Sequence, residues 1–451
     1  MKKGKLAVLV MAAVLCVGTM AFSAYAASGW QQSNGNWVYY DSNGNKLTNE
    51  WKKGADDLWR YLGSNGEMVL NTWVEDTYYM DSNGIMVTNK WLKLNDSSGT
   101  ESYWYYFTQN GKAATDGWKK VDNKWYHFDD EGRMETGWVD DEMYYAGDDG
   151  VMKTGWQKLY PPDEDYDDDR VTPASEDGDG KYWFYFTNSG KKYCAESNND
   201  YEVKKVNGVY YCFDGDGVMQ TGWVNVGDDP DENASIEDYR YYGSDGKVKS
   251  GWLSIEPPEP ISSDYEDEVE WFYFNNQGQP KVGPKEGDAS TSDLFKLNGR
   301  TYLFNDKGNP VYGLQKLELA ESGNYTAYYF GDKATSSVVK GKRKVEEDDG
   351  NVSEFYFAET GKGYNGVKDG YLYYMGKLQK AESGTKYQVI TIDGKNYVVN
   401  TSGKLAKSTT VKNGDGVKYK TNGTGILVKE DDEEPSDSYN EPSEPVWSSN
   451  Y

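Results

Sequence analysis

The side chains best able to do chemistry in this 451-residue chain are aromatic: 40 Tyr, 16 Trp and 13 Phe, together 15% of its residues. The electron-rich face of such a ring attracts a quaternary ammonium, at about 0.5–2 kcal/mol per good contact. A cage needs walls from more than one element, so cation capture calls for rings repeated at fixed places. Catalysis is poorly provided for. The only histidine, His127, stands inside an aromatic strand pattern, and a histidine triad or multi-histidine zinc site would depend on that one residue. A structural role is expected for it. Carboxylate pairs are unavoidable among 74 acidic residues, and none stands in a distinctive cleft motif. The chain reads as non-enzymatic and without a cofactor.

The elements that would position the rings are written as a repeat. A tetrad ending in Gly returns along the chain, as DSNG (41–44), GSNG (63–66), TQNG (108–111), DDEG (129–132), TNSG (187–190), DGDG (214–217) and NNQG (275–278), among others. Asp, Asn and Ser favour turns, and the final Gly accepts positive φ. An aromatic strand such as Trp125-Tyr126-His127-Phe128 precedes each turn, and a segment ending in Gly-Trp follows most of them. Alternation puts Trp125 and His127 on one strand face and Tyr126 and Phe128 on the other. With both faces bulky, a lone hairpin would be marginal. Stacking along an axis lets each repeat cover its neighbour. The expected fold is all-β, a solenoid of stacked β-hairpin repeats of about 20 residues with acidic loop insertions.

Residues 1–26 read as a signal peptide: Lys2, Lys3 and Lys5, an apolar run from Leu6 to Phe22, then Ala24-Tyr25-Ala26. No second apolar run is present, so no membrane span is expected. The net charge of −26 becomes about −29 without those three lysines, which disfavours nucleic acid and anionic polymers. Fifteen of the 16 Trp lie by Trp271, which divides the rest into Trp-rich repeats (27–285), Trp-poor degenerate repeats (286–427) and an acidic, disordered tail (428–451). Acidic, Pro-bearing insertions follow Trp156, Trp223 and Trp252 and are expected to be solvated loops. None has a regular calcium-loop spacing. Cys194 and Cys212, about one repeat apart, are disulfide candidates in an oxidising exterior, the alternative being two buried thiols.

The unit Gly-Trp, short polar gap, Trp-Tyr-Tyr, turn with Gly, Met-x-Thr-Gly-Trp resembles the cell-wall-binding repeat of Gram-positive surface proteins. This is the choline-binding type, related to glucan-binding and clostridial-toxin repeats. The likeness runs from Gly29 to about Trp271 and, more weakly, to about Leu427. It implies two ring walls per cage, from the Gly-Trp tryptophan and the first aromatic of the next strand, closed by an aromatic of the following repeat with a Met nearby. Those positions are Trp30 with Trp37, Trp51 with Trp59, and Trp118 with Trp125. Met134 and Tyr144 or Tyr145, beside the next Gly-Trp at Trp138, would complete the last. Long gaps separate Trp91 from Trp104 and Trp156 from Trp183. The resemblance implies a secreted protein held non-covalently at the wall, with a choline-bearing teichoic acid or related wall glycan as partner. A glucan- or host-glycan-binding lectin and a structural spacer are the alternatives.

Overall fold

The computed structural model describes residues 28–95, 99–162, 166, 178–196, 200–227, 234–320, 322–437, 439–449 and 451. The signal-peptide segment lies outside them. The described residues are all-β, mostly two-stranded antiparallel hairpins in chain order. Short 3-10 turns at Ile236–Asp238 and Glu259–Asp264 are exceptions. No described helix is long and apolar enough to cross a membrane.

The hairpin of Gly117–Val121 and Lys124–Phe128 shows how the repeat works. Its two-residue loop, Asp122-Asn123, has both φ values positive (47° and 65°), as a twisted tight hairpin requires. The register sets Trp118 opposite His127 and Lys120 opposite Trp125, so all four share one face. The tetrad then reverses the chain: Gly132 N–H donates to Asp129 O at 3.1 Å with Gly132 at φ +80°. Asp129 Oδ1 accepts from Arg133 N–H at 2.7 Å. Beyond the first hairpin, whose Tyr40 is half-buried, the residue just before each tetrad is the core residue of its repeat. Leu62, Met80, Phe107, Phe128 and Ala146 are wholly buried in this way, as are Phe186, Phe213 and Tyr242 further on.

Packing divides the chain into two units, Met1–Thr154 with Asn188–Lys191, and Gly155–Thr187 with Lys192–Tyr451. The expected boundary at 285/286 is not a packing boundary, because Trp252 lies 5.1 Å from Tyr302 across it. Losing the Gly-Trp mark changes which rings stack, not whether they stack.

Three further expectations are corrected. The insertions after Trp223 and Trp252 are not merely solvated over their described residues. Ile236, in a turn capped by Ser235, and Ile261 are buried with Tyr239, Phe272 and Phe274. One isoleucine in each acidic insertion is enough to fold it onto its hairpin. The tail is not disordered over its described residues either. Leu427–Glu430 is a strand, Tyr439 N–H donates to Thr391 Oγ1 at 2.9 Å, and Trp447 packs in the cluster of Leu314, Phe355 and Phe357. Its acidic, Pro-bearing composition is outweighed by a few rings and by backbone pairing. Finally, Cys194 and Cys212 are free thiols. Strand alternation turns Cys212 inward beside Val224 and Tyr242, where burial pushes its thiol up to about 12.

Asp214, which opens the DGDG tetrad, is wholly buried; it accepts hydrogen bonds from Tyr166 Oη (2.6 Å), Gln220 Nε2 (3.1 Å) and Val218 N–H (2.8 Å). Burial nonetheless holds its carboxyl above the ordinary carboxylate range. The folded state therefore keeps this proton to higher pH than the unfolded chain does. Its stabilising share is complete below the ordinary pKa and lost as pH rises through the folded one. Asp214→Asn retains the Val218 acceptor, and its melting temperature relative to the parent is expected to rise from pH 4 to pH 8. A pH-independent difference would show that Asp214 titrates alike in both states.

Candidate functional site: aromatic cages between hairpins

Within each unit, the Trp-bearing face of one hairpin meets the face of the next that carries its buried residue. Trp91 shows this, with its ring 4.8 Å from Tyr126 and 5.7 Å from Phe128 of the following hairpin. In the two-residue loop hairpins and the inserted ones alike, the inner Gly-Trp ring is half-buried. The outer Trp, on the opposing strand, is left open: Trp37, Trp59, Trp104, Trp125, Trp183 and Trp271 are 41–47% exposed. These open rings are therefore not core.

Five interfaces carry two Trp and a Tyr of the next repeat. Trp51 and Trp59 meet Tyr78, whose ring is 5.0 Å from Trp51. Trp91 and Trp104 meet Tyr126. Trp118 and Trp125 meet Tyr144, 5.4 Å from Trp118. In the second unit, Trp156 and Trp183 stand nearly perpendicular (84°, 6.4 Å) and Tyr211 closes the corner at 4.8 Å from Trp156. Trp252 and Trp271 (75°, 6.3 Å) meet Tyr302. The Trp156 site opens as a cleft of about 510 Å³, lined also by Met219, Asp245 and Lys247. Burial pushes the Asp245 carboxyl up, but hydrogen bonds from Lys247 outweigh it and hold it below the usual range. The cleft is thus lined by an ionised Asp245 paired with Lys247 at 2.9 Å. Elsewhere cations already sit over outer rings: Lys53 Nζ is 5.3 Å from the Trp59 centroid, and Lys120 Nζ is 5.9 Å from that of Trp125.

The methionines follow a rule invisible in linear order. The Met after each tetrad donates its N–H to the carbonyl of the outer Trp one repeat earlier: Met68 to Trp37, Met86 to Trp59, Met134 to Trp104, Met152 to Trp125 and Met219 to Trp183, at 2.7–2.9 Å. Met134 therefore belongs with Trp91 and Trp104, and Met152 takes the place expected for it beside Trp125. Tyr145 is likewise replaced by Tyr144. It pairs with Trp138 (5.2 Å, 81°) on the other face of its hairpin, which removes both from the Trp118 site. Trp30 and Trp37 do share a face. The following hairpin, however, offers Arg60 where the others offer Tyr, held by Asp56 at 2.7 Å, so this pair lacks its third ring. His127 packs 5.0 Å from Trp118, and its Nδ1 lies 2.5 Å from Glu135 Oε2, as a structural residue would.

Counting forward from Gly-Trp misses Trp104, Trp183 and Trp271, because insertions lengthen the gap. Counting back from the turn finds them all: Trp37, Trp59, Trp104, Trp125, Trp183 and Trp271 each stand four residues before a tetrad. An insertion leaves the hairpin at its tip, beyond Leu159 opposite Tyr182, and does not disturb the register behind it.

The fold and these interfaces define a class of protein, a β-hairpin repeat chain with aromatic cages between successive repeats. Family models described as Choline-binding repeat match residues 27–73 and 67–95, and one described as Putative cell wall binding repeat matches residues 116–134. Residues 27–95 and 116–134 are thus cell-wall-binding repeats of the choline-binding type. No curated protein matches it in sequence. Similar solved structures include the modular autolysin LytC from Streptococcus pneumoniae, at 21% identity over 64% of this chain and 54% of that one, with a TM-score of 0.38. CbpJ from Streptococcus pneumoniae is 22% identical over 74% of this chain and all of that one, with a TM-score of 0.38. Choline binding protein F from Streptococcus pneumoniae, in the presence of a peptidoglycan analogue, is 23% identical over 75% and 99%, with a TM-score of 0.34. The chain spans about half the length of the autolysin.

Proposed function

We propose that this is an exported, non-enzymatic surface protein. Its two-Trp, one-Tyr cages hold the quaternary ammonium of choline on a wall teichoic acid or related wall polymer. The observation that carries the reading is the Trp156–Trp183–Tyr211 corner, an open cleft walled by three aromatic rings with the exposed indole of Trp183 on one side. Ring faces attract a quaternary ammonium, which has no N–H to leave unpaired against them. Several weak cages on one chain reach a polymer with high avidity.

Free choline is expected to release the protein from choline-bearing walls and to change the Trp fluorescence of the purified chain saturably. Retention in excess choline, with binding to a glucan or host glycan instead, would move the reading to a lectin. Binding to none of these would leave a spacer.

A further inference from the structure

The Trp-poor hairpins keep the repeat but shrink its walls. In the hairpin of Leu314–Glu318 and Tyr325–Tyr329, Leu314 stands where the other repeats have the Gly-Trp ring, paired with Tyr329. Ala327 stands where they have the outer Trp. The next hairpin supplies Phe355 and Phe357, which stack 5.7 Å apart at 2°. This slot is filled by a ring from elsewhere in the chain. Trp447, partly buried, packs against the cluster formed by Leu314, Ala327, Val345, Phe355 and Phe357.

The backbone around Trp447 is paired as carefully as a strand. Ser448 N–H donates to Leu314 O at 2.9 Å, and Leu314 N–H donates to Ser448 Oγ at 2.8 Å. Val446 N–H donates to Glu347 Oε1 at 2.8 Å; this carboxylate is buried and held by Lys377 Nζ at 3.0 Å. Lys377 Nζ also donates to Glu444 O, and Ser443 N–H to Gln379 Oε1 at 2.7 Å. Hydrogen bonds to the peptide main chain and a pocket for one ring are the two components of such peptide recognition.

From this geometry we propose that the Trp-poor half is a peptide-binding groove for a Pro-Val-Trp-Ser segment, and that it couples copies of this protein by receiving the tail of a second copy. Each copy carries both groove and segment, and the described residues 443–448 of that segment are bonded into the groove. The joint is also present. Residues 431–437 link the last strand to the docked segment and are almost entirely exposed, with Asp431 and Asp432 at φ 43° and 71°. Extended, seven residues reach at most about 25 Å. Exchange recreates every groove contact, so its cost is that of association alone, as in other swapped assemblies. Crowding copies on a surface therefore favours it. This coupling needs no wall ligand and stands or falls apart from the cages.

The test uses the full chain and a fluorescent synthetic peptide of residues 439–451. Trp447→Ala vacates the slot. Its chain is expected to bind the peptide at least tenfold more tightly than the parent, whose own tail competes. A peptide carrying the same substitution is expected to bind neither. The parent is expected to form dimers as concentration rises in sedimentation, and the variant to remain monomeric. Ser448→Pro, which removes the N–H and Oγ bonds to Leu314 while leaving the hairpins intact, serves as the second variant should Trp447→Ala unfold. Failure of the peptide to bind either folded variant, equal binding of the altered peptide, or a parent that stays monomeric at every concentration would overturn the proposal.

Discussion

Phe128→Ala is expected to destabilise the first unit by about 3–5 kcal/mol, the usual cost of emptying a buried ring site. Trp125→Ala, three residues earlier on the same strand, is expected to cost about 1 kcal/mol or less. The two side chains lie on opposite faces. Phe128 is wholly buried and stacked against Trp91, whereas Trp125 is 41% exposed and touched by Lys120. Affinity should divide the other way, with Trp125→Ala weakening choline binding at its own cage by about 2- to 30-fold, the equivalent of 0.5–2 kcal/mol for one ring wall. Melting curves beside choline titrations decide it. A large fall in melting temperature for Trp125→Ala with affinity unchanged would make that ring part of the core.

Replacing Trp59, Trp104, Trp125, Trp183 and Trp271 together by Ala is expected to reduce retention on choline-bearing walls by at least about 100-fold, because avidity multiplies the losses of single cages. The fold should survive. All five rings are exposed walls, and the inner Trp, the Tyr of the next repeat and the buried residue before each tetrad remain in place. Circular dichroism and melting establish that the variant is folded before retention is measured. A folded five-ring variant that stays on the wall as the parent does would remove the cages from the binding mechanism.

The open outer rings also explain why the chain tolerates such uneven insertions. In the Trp156 repeat 22 residues lie between Leu159 and Tyr182, yet the register behind the tip, Trp156 opposite Tyr185 and Lys158 opposite Trp183, matches that of the short Trp118 hairpin. A loop of any length at the tip costs only slowly growing closure entropy. The ring corner is set by the strand pairing behind it.

Much was legible from the sequence because it is local. The tetrads with a closing Gly, the aromatic strands and the two-residue alternation determine hairpins, their turns and which residues share a face, and they place Trp118 with Trp125 and Trp51 with Trp59. These are matters of φ, of side-chain-to-backbone bonds within four residues and of period two. What lies across from a face is not local. Only stacking decided that Tyr144 rather than Tyr145 closes the Trp118 cage, that Met152 rather than Met134 attends Trp125, and that Arg60 leaves Trp30 and Trp37 without a third wall. Strand pairing across an insertion brought Trp183 to Trp156, and packing returned Trp447 to a slot beside Leu314, more than a hundred residues earlier. Alternation along a strand is dictated by covalent geometry, whereas the partner of each face depends on how one repeat rotates onto the next, and that is settled by the packing of rings far apart in the chain.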